Sequence, residues 1–223
     1  MIIKKLDIKK GFIFVLILLF FDQFLKFYIK LNFPLTLYGQ PAIIDLGFFK
    51  LLFIENEGMA MGARLNNIFP FLSDYSAKLS LTMFRLIAVV GIGYWLISAL
   101  KNNKSNLFKI TLCLIFAGAL GNIIDSVFYG VIFSESYGQI ATFLPDQGYA
   151  PLFFGNVVDM IQIPLLEWTW PKWIPIIGGK KYLFFQYIFN IADTSISIGV
   201  LILIFFNKTI FNQNEKTESG VTA

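Results

Sequence analysis

Four long apolar stretches constrain this chain more than anything else in it: about 11–30, 77–100, 107–130 and 183–206. Each reaches the roughly 20 residues that carry a helix across the hydrocarbon core of a bilayer. Backbone polar groups have no water to bond inside lipid, so such stretches fold as helices. Composition agrees, since 57% of the 223 residues are hydrophobic and only 14% charged, against about 25% charge in a soluble domain. The expected fold is a membrane all-α bundle of four transmembrane helices. Residues 1–210 read as one integral-membrane domain, and the polar stretch 211–223 as a cytoplasmic tail.

Charge placement orients the bundle. Lys4, Lys5, Lys9 and Lys10 precede the first stretch, Lys101, Lys104 and Lys109 surround the turn after the second, and Lys208 and Lys216 follow the fourth. Lysine-rich ends stay on the cytoplasmic side, so both termini are expected there. Asp22, Gln23 and Lys26 follow the first apolar run without a small-residue cleavage site, which reads as an uncleaved anchor. The segments 31–76 and 131–182 then face outward. Pro and Gly punctuation at 41–64 suits short strands or a membrane-surface platform. The second outer segment carries Tyr137, Phe143, Tyr149, Trp168, Trp170 and Trp173, and Trp and Tyr favour the headgroup level.

What is missing removes whole chemistries. The chain has no His and one cysteine, Cys113. A Ser-His-Asp triad, a His-held zinc and an internal disulfide are therefore excluded. No metal or organic cofactor is called for. The net charge of +4 is spread near span ends rather than gathered on one face, so no nucleic-acid partner is expected.

Charged residues inside a span cost about 2.5–3.5 kcal/mol each on insertion scales, so they mark a partner, a wet cavity or a function. Asp22 and Lys26 stand four apart on one helical face, as an ion pair would. Arg85 lies near one end of its span and is expected to snorkel outward. Asn122-x-x-Asp125 and Asn190-x-x-Asp193 each put an amide and a carboxylate on one face. Small residues nearby (Gly118, Gly121, Ala192, Gly199) let helices approach closely. If these spans meet, Asp125 and Asp193 form a pair in which one carboxyl holds a proton while the other acts as base. Asp159 is a third acid that can join such a pair. Two other readings stay open: a small proton-coupled transporter or channel subunit, and plain structural pairing.

Five strings resemble those of lipoprotein signal peptidases (signal peptidase II), aspartic intramembrane proteases of bacteria. Asp22-Gln23-x-x-Lys26 is similar to the family's D-Q-x-x-K, and Asn56 to Gly62 to its N-x-G-x-A-x-G. Gly118 to Asp125 is similar to G-x-x-G-N-x-x-D-R, Val157-Val158-Asp159-Met160 to V-V-D-F, and Phe189 to Asp193 to F-N-x-A-D. The resemblance implies an aspartic endopeptidase that cuts prolipoproteins before a diacylglyceryl-modified cysteine. It implies a small periplasmic β-cradle and membrane-surface segments beside the four spans, and a site towards the periplasmic side of the inner membrane. Asp125 and Asp193 are carried over as the catalytic dyad. Asp22, Lys26, Asn56, Gly58, Ala60, Gly62, Asn122, Asp159, Asn190 and Ala192 are carried over as substrate-binding or site-supporting positions. Diacylated prolipoprotein, membrane lipids and globomycin-type peptide inhibitors are the implied partners.

The chain departs from the family pattern in two places. Ser126 stands where the family has Arg after the motif Asp, so that cation is lost or comes from elsewhere, with Arg64, Lys172, Lys180 and Lys181 as candidates. The connection from Ser126 to Gly155 is expanded, and a second expansion holds Trp168 to Gly179. Both are expected to enlarge the outer platform, either as a lid over the substrate or as surface decoration.

Overall fold

The computed structural model describes residues 6–37, 40–57, 65–102, 104–184 and 186–210. Gly58, Ala60, Gly62, Arg64 and the tail 211–223 lie outside the described residues. The helices are α1 (Ile8–Asn32), α2 (Leu65–Ile68), α3 (Asp74–Lys101), α4 (Asn106–Ile124), α5 (Gly130–Ile132) and α6 (Ile191–Phe205). A π-helical turn, Asp125–Tyr129, joins α4 to α5 so that one rod runs from Asn106 to Ile132. The strands are β1 (Ile44–Asp45), β2 (Lys50–Asn56), β3 (Val157–Gln162), β4 (Leu166–Thr169), β5 (Lys181–Phe184) and β6 (Ile188–Phe189).

Each long helix begins on a short polar residue whose side chain accepts one of the first unpaired backbone N–H groups. Asp7, Ser73, Ser105 and Asn190 accept from Lys10, Ser76, Phe108 and Asp193. Such caps stabilise a helix start by about 1 kcal/mol. Among the described residues, three helices are long and apolar enough to cross a membrane: α1, α3 and the rod 106–132. The fourth apolar run is shorter than its sequence indicates. Helix begins at Ile191 rather than near residue 183, because Lys181–Phe184 and Ile188–Phe189 are strands and Asn190 caps the helix behind them. The aromatic and β-branched residues there fit a pleated surface as well as a helix, and hydropathy does not separate the two.

The outward faces of the helices are apolar, with Phe20, Phe84 and Phe205 each more than half exposed. A soluble fold does not expose such a belt, so the molecule is embedded in a membrane. Between the helices, one core gathers Val15, Leu96, Leu112, Cys113 and Ala117. A second, at the sheet end, gathers Ile29, Phe53, Tyr129, Phe133, Val158 and Met160.

An antiparallel sheet of order β1-β2-β3-β6 sits at that end, with Asn56 opposite Val157 and Ile161 opposite Phe189. Strands β4 and β5 form a separate hairpin whose tip exposes Trp173 and Ile176. The expansion 126–155 is a built part of the fold rather than a loose flap. Its returning chain donates N–H bonds from Tyr149, Ala150, Phe153 and Gly155 to the carbonyls of Phe133, Gly130, Val127 and Ser126. Ser136, within it, is fully buried and donates to Glu55, which also pairs with Lys30.

Candidate active site

The site is built where α4 and α6 touch, and glycine permits the touch. A Cβ on Gly118 would lie 2.3 Å from the Ala192 carbonyl oxygen, and one on Gly199 would lie 2.5 Å from Ile115 Cγ1. With neither present, the backbones close up and Asn122 meets the first turn of α6. Asn122 Nδ2 donates to Asp193 Oδ1 at 2.7 Å. Asn190, the cap of α6, has its Oδ1 on the Asp193 N–H at 2.8 Å. Its Nδ2 faces Asp159 Oδ1 at 2.7 Å, and Asn122 Oδ1 and the Val158 carbonyl both at 3.2 Å. Asn56, at the end of β2, donates to the other Asp159 oxygen at 3.1 Å.

Helix α1 supplies a second layer behind this one. Lys26 Nζ stands 2.9 Å from Asp22 Oδ2 and 2.8 Å from Asp125 Oδ2, and donates to Asn122 Oδ1 at 3.1 Å. Asp22 Oδ1 accepts the Ala192 N–H at 2.9 Å, a carboxylate set at a helix N-terminus. Gln23 Nε2 donates to Asp125 Oδ1 at 3.0 Å, and Tyr129 donates to Gln23 Oε1 at 3.0 Å. The Val158 N–H completes the shell of Asp125 at 3.3 Å. Both Asp125 oxygens are therefore engaged, and the residue is 0% exposed.

The pairing expected from sequence is not the one this geometry offers. Asp125 is turned into the Lys26 ion pair and does not line the open space. Asp159 and Asp193 do: both border a cavity of about 640 Å³, together with Asn56, Asn122 and Arg85. The rest of its wall is largely apolar, including Phe84, Val89, Phe189 and Ile196. Burial, and then the nearby charge of Asp193, push the Asp159 carboxyl up to about 7, while Asn56, Lys26 and Asn190 pull it down. The physical reason that Asp159 rather than Asp125 borders the cavity is reach. The π-helical turn starts at Asp125, at the buried seam between α1, α4 and β3, whereas β3 carries Asp159 to the cavity wall.

Arg85 also departs from expectation. It does not snorkel away from the bundle but borders the cavity, and its Nη1 donates to Ser126 Oγ at 3.4 Å. Gln23 and Tyr129 also join the site, beyond the residues expected there. Gln23 carried a signal, since it lies inside the D-Q-x-x-K string. Tyr129 carried none, because its role depends on the π-helical turn.

Fold and site define a class of protein: a membrane-embedded enzyme with buried acids opening on an apolar cavity. The family model described as Signal peptidase (SPase) II matches residues 14–208. The lipoprotein signal peptidase of Porphyromonas gingivalis (strain ATCC BAA-308 / W83) is 41% identical over 199 residues, covering 88% of this chain and 82% of its own. That of Amoebophilus asiaticus (strain 5a2) is 32% identical over 196 residues, covering 86% of this chain and 75% of its own. A solved structure described as a bacterial membrane enzyme, determined in meso at 2.3 Å, aligns with a TM-score of 0.55 and 25% identity, over 92% of this chain and 93% of that one. The chain belongs to the signal peptidase II family. It is a membrane-embedded protease of the aspartic type, and the transporter or channel reading of its intramembrane acids falls away.

Proposed function

We propose that the chain removes signal peptides from prolipoproteins with Asp159 and Asp193 as the acting carboxylates. The observation that carries the pair is their joint position on the cavity wall, where Asp125 is closed behind Lys26. Asp159, the acid held near neutrality, supplies a proton to the scissile carbonyl. Asp193 takes a proton from the attacking water. The tetrahedral intermediate then collapses, the C–N bond breaks, and the new amine takes up a proton from the pair. Asn122 and Asn190 orient the two carboxylates, Asn56 holds Asp159, and Asp22, Lys26 and Asp125 brace the seam behind them. Apolar walls suit acyl chains, so the bond before a diacylglyceryl-cysteine is the expected point of cleavage. Globomycin-type peptides would compete for the same cavity.

In this reading α6 is a fourth crossing, completed by its flanking residues. The lysine-rich ends support a cytoplasmic side for both termini. The sheet then forms a periplasmic cradle, and the hairpin tip with Trp173 lies on the bilayer surface. Residues 1–210 act as one domain. The test is cleavage of a diacylated prolipoprotein by purified full-length variants. Asp159→Asn and Asp193→Asn are expected to lose turnover while the protein still inserts and unfolds cooperatively. Normal turnover by Asp159→Asn, with loss only in Asp125→Asn of unchanged Tm, would return the dyad to Asp125 and Asp193.

A further inference from the structure

The family pattern places an arginine directly after the motif Asp, and this chain has Ser126 there. The structure brings a guanidinium back to that place from another helix. Lys78, Thr82 and Arg85 recur at helical spacing on one face of α3. Lys78 Nζ donates to Asn156 Oδ1, Thr82 Oγ1 donates to the Phe153 carbonyl at 3.0 Å, and Arg85 Nη1 donates to Ser126 Oγ at 3.4 Å. Val89, one turn further, packs with Ile123 and Val127. The face is thus pinned to the end of the expanded connection and to the rod that carries Ser126. Ser126 is 3% exposed, and its small side chain leaves the room that the guanidinium crosses.

Among the described cations, Lys172 and Lys180 do not border the cavity. Lys26 is held between Asp22 and Asp125. Lys172 and Lys180 lie on the β4–β5 turn, and among the described residues Arg85 is the cation on the cavity wall. Its acidic neighbours are Asp193, Asp159 and Asp125. We propose that Arg85 is the substrate-anchoring cation of this enzyme, supplied from α3 in place of the residue after Asp125, and that its planar fork grips carbonyl oxygens of the substrate beside the cleaved bond. The proposal rests on the reading of this cavity as the active site. It also gives the expansion 126–155 a purpose, because that segment fixes α3 in the register that brings Arg85 over Ser126.

The test is a charge relocation in the full-length, membrane-reconstituted protein, with initial rates over a range of diacylated prolipoprotein concentrations. Arg85→Ala is expected to raise KM roughly tenfold or more with kcat little changed, the loss of at least one charge-assisted hydrogen bond. Ser126→Arg in the Arg85→Ala background refills the vacated space from the adjacent backbone and recovers most of that KM. Arg85→Lys keeps charge without the fork and falls between. Should Arg85→Ala lower Tm, Arg85→Gln is read in its place, since it keeps the length of the side chain and a donor for Ser126. A wild-type KM in the Ala or Gln variant overturns the proposal. So does a relocated arginine that leaves KM raised in a protein of wild-type Tm. The Asp159→Asn and Asp193→Asn variants read separately through kcat, so a failure of the dyad and a failure of Arg85 appear in different parameters.

Discussion

Asp125 and Asp159 show how surroundings rather than residue type assign a role. Both are buried, at 0% and 4% exposure. Asp125 has a lysine at 2.8 Å, and Asp159 has two amides and the charge of Asp193. Removing Asp125 leaves Lys26 buried with one carboxylate in place of two. Asp125→Ala should therefore lose about 3–5 kcal/mol, the scale of a broken buried pair, read as a fall in Tm in detergent. An unchanged Tm would count against the bracing role. Asp159 acts in the opposite sense. Its carboxyl is raised to about 7 in the fold, so its proton favours the folded state. That contribution is present in full below the ordinary carboxylate range near 4 and is lost as pH rises through about 7. The Tm of Asp159→Asn should thus improve relative to wild type from pH 5 to pH 8, and a gap independent of pH would refute the assignment. Turnover should fall over the same range above pH 7, as the proton donor is lost.

At the scale of elements, the decisive contact is the closure of α4 on α6. The sequence shows it as Gly118, Gly121, Ala192 and Gly199, a run of small residues with a known use in lipid. The structure adds what fills each gap: the Ala192 carbonyl at Gly118, Asp22 Oδ2 at Gly121 and Ile115 Cγ1 at Gly199. Gly118→Ala drives a Cβ against the Ala192 carbonyl at 2.3 Å, and backbone cannot rotate out of the way as a side chain can. A cost of about 1–3 kcal/mol is expected from such overpacking. The larger effect is on catalysis, because the first turn of α6 carries Asn190 and Asp193 on the same contact. The check is kcat measured beside Tm, and Gly91→Ala is the control. Space there is open, so that variant should leave both unchanged. Element boundaries were least legible around residues 181–190. Apolar aromatic residues continue unbroken in hydropathy while the backbone changes from strand to helix at a single cap, Asn190.

For the whole molecule, the expanded connection ties the sheet to the helices. Lys30 on α1, Glu55 on β2, and Ser136, Tyr149 and Asn156 on or beside the expansion share one buried network. Ser136 donates to Glu55 at 2.9 Å, Asn156 Nδ2 donates to Glu55 at 3.1 Å, and Tyr149 accepts the Asn156 N–H at 2.7 Å. Lys30 lies 4.8 Å from the Tyr149 ring centre. Deleting residues 134–150 should therefore lower Tm and depress cleavage of every prolipoprotein. A lid that acts only on substrate would lose cleavage at constant Tm, and plain decoration would change neither.

The sequence alone determined the solvent and the chemistry. Apolar runs of membrane length set the solvent, a chain without His excludes imidazole chemistry, and the family strings point to carboxylates, because hydropathy and residue type are local properties. The strings around Asp22, Asn56, Asn122, Asp159 and Asn190 named the residues that gather. Only the tertiary structure decided which of them face the cavity. Orientation there depends on a π-helical turn at Asp125, a cap at Asn190, the pairing of β2 with β3, and a loop that pins Arg85 over Ser126. Apart from the local cap, these depend on contacts between segments that lie tens to more than a hundred residues apart, for which spacing along one helix holds no information.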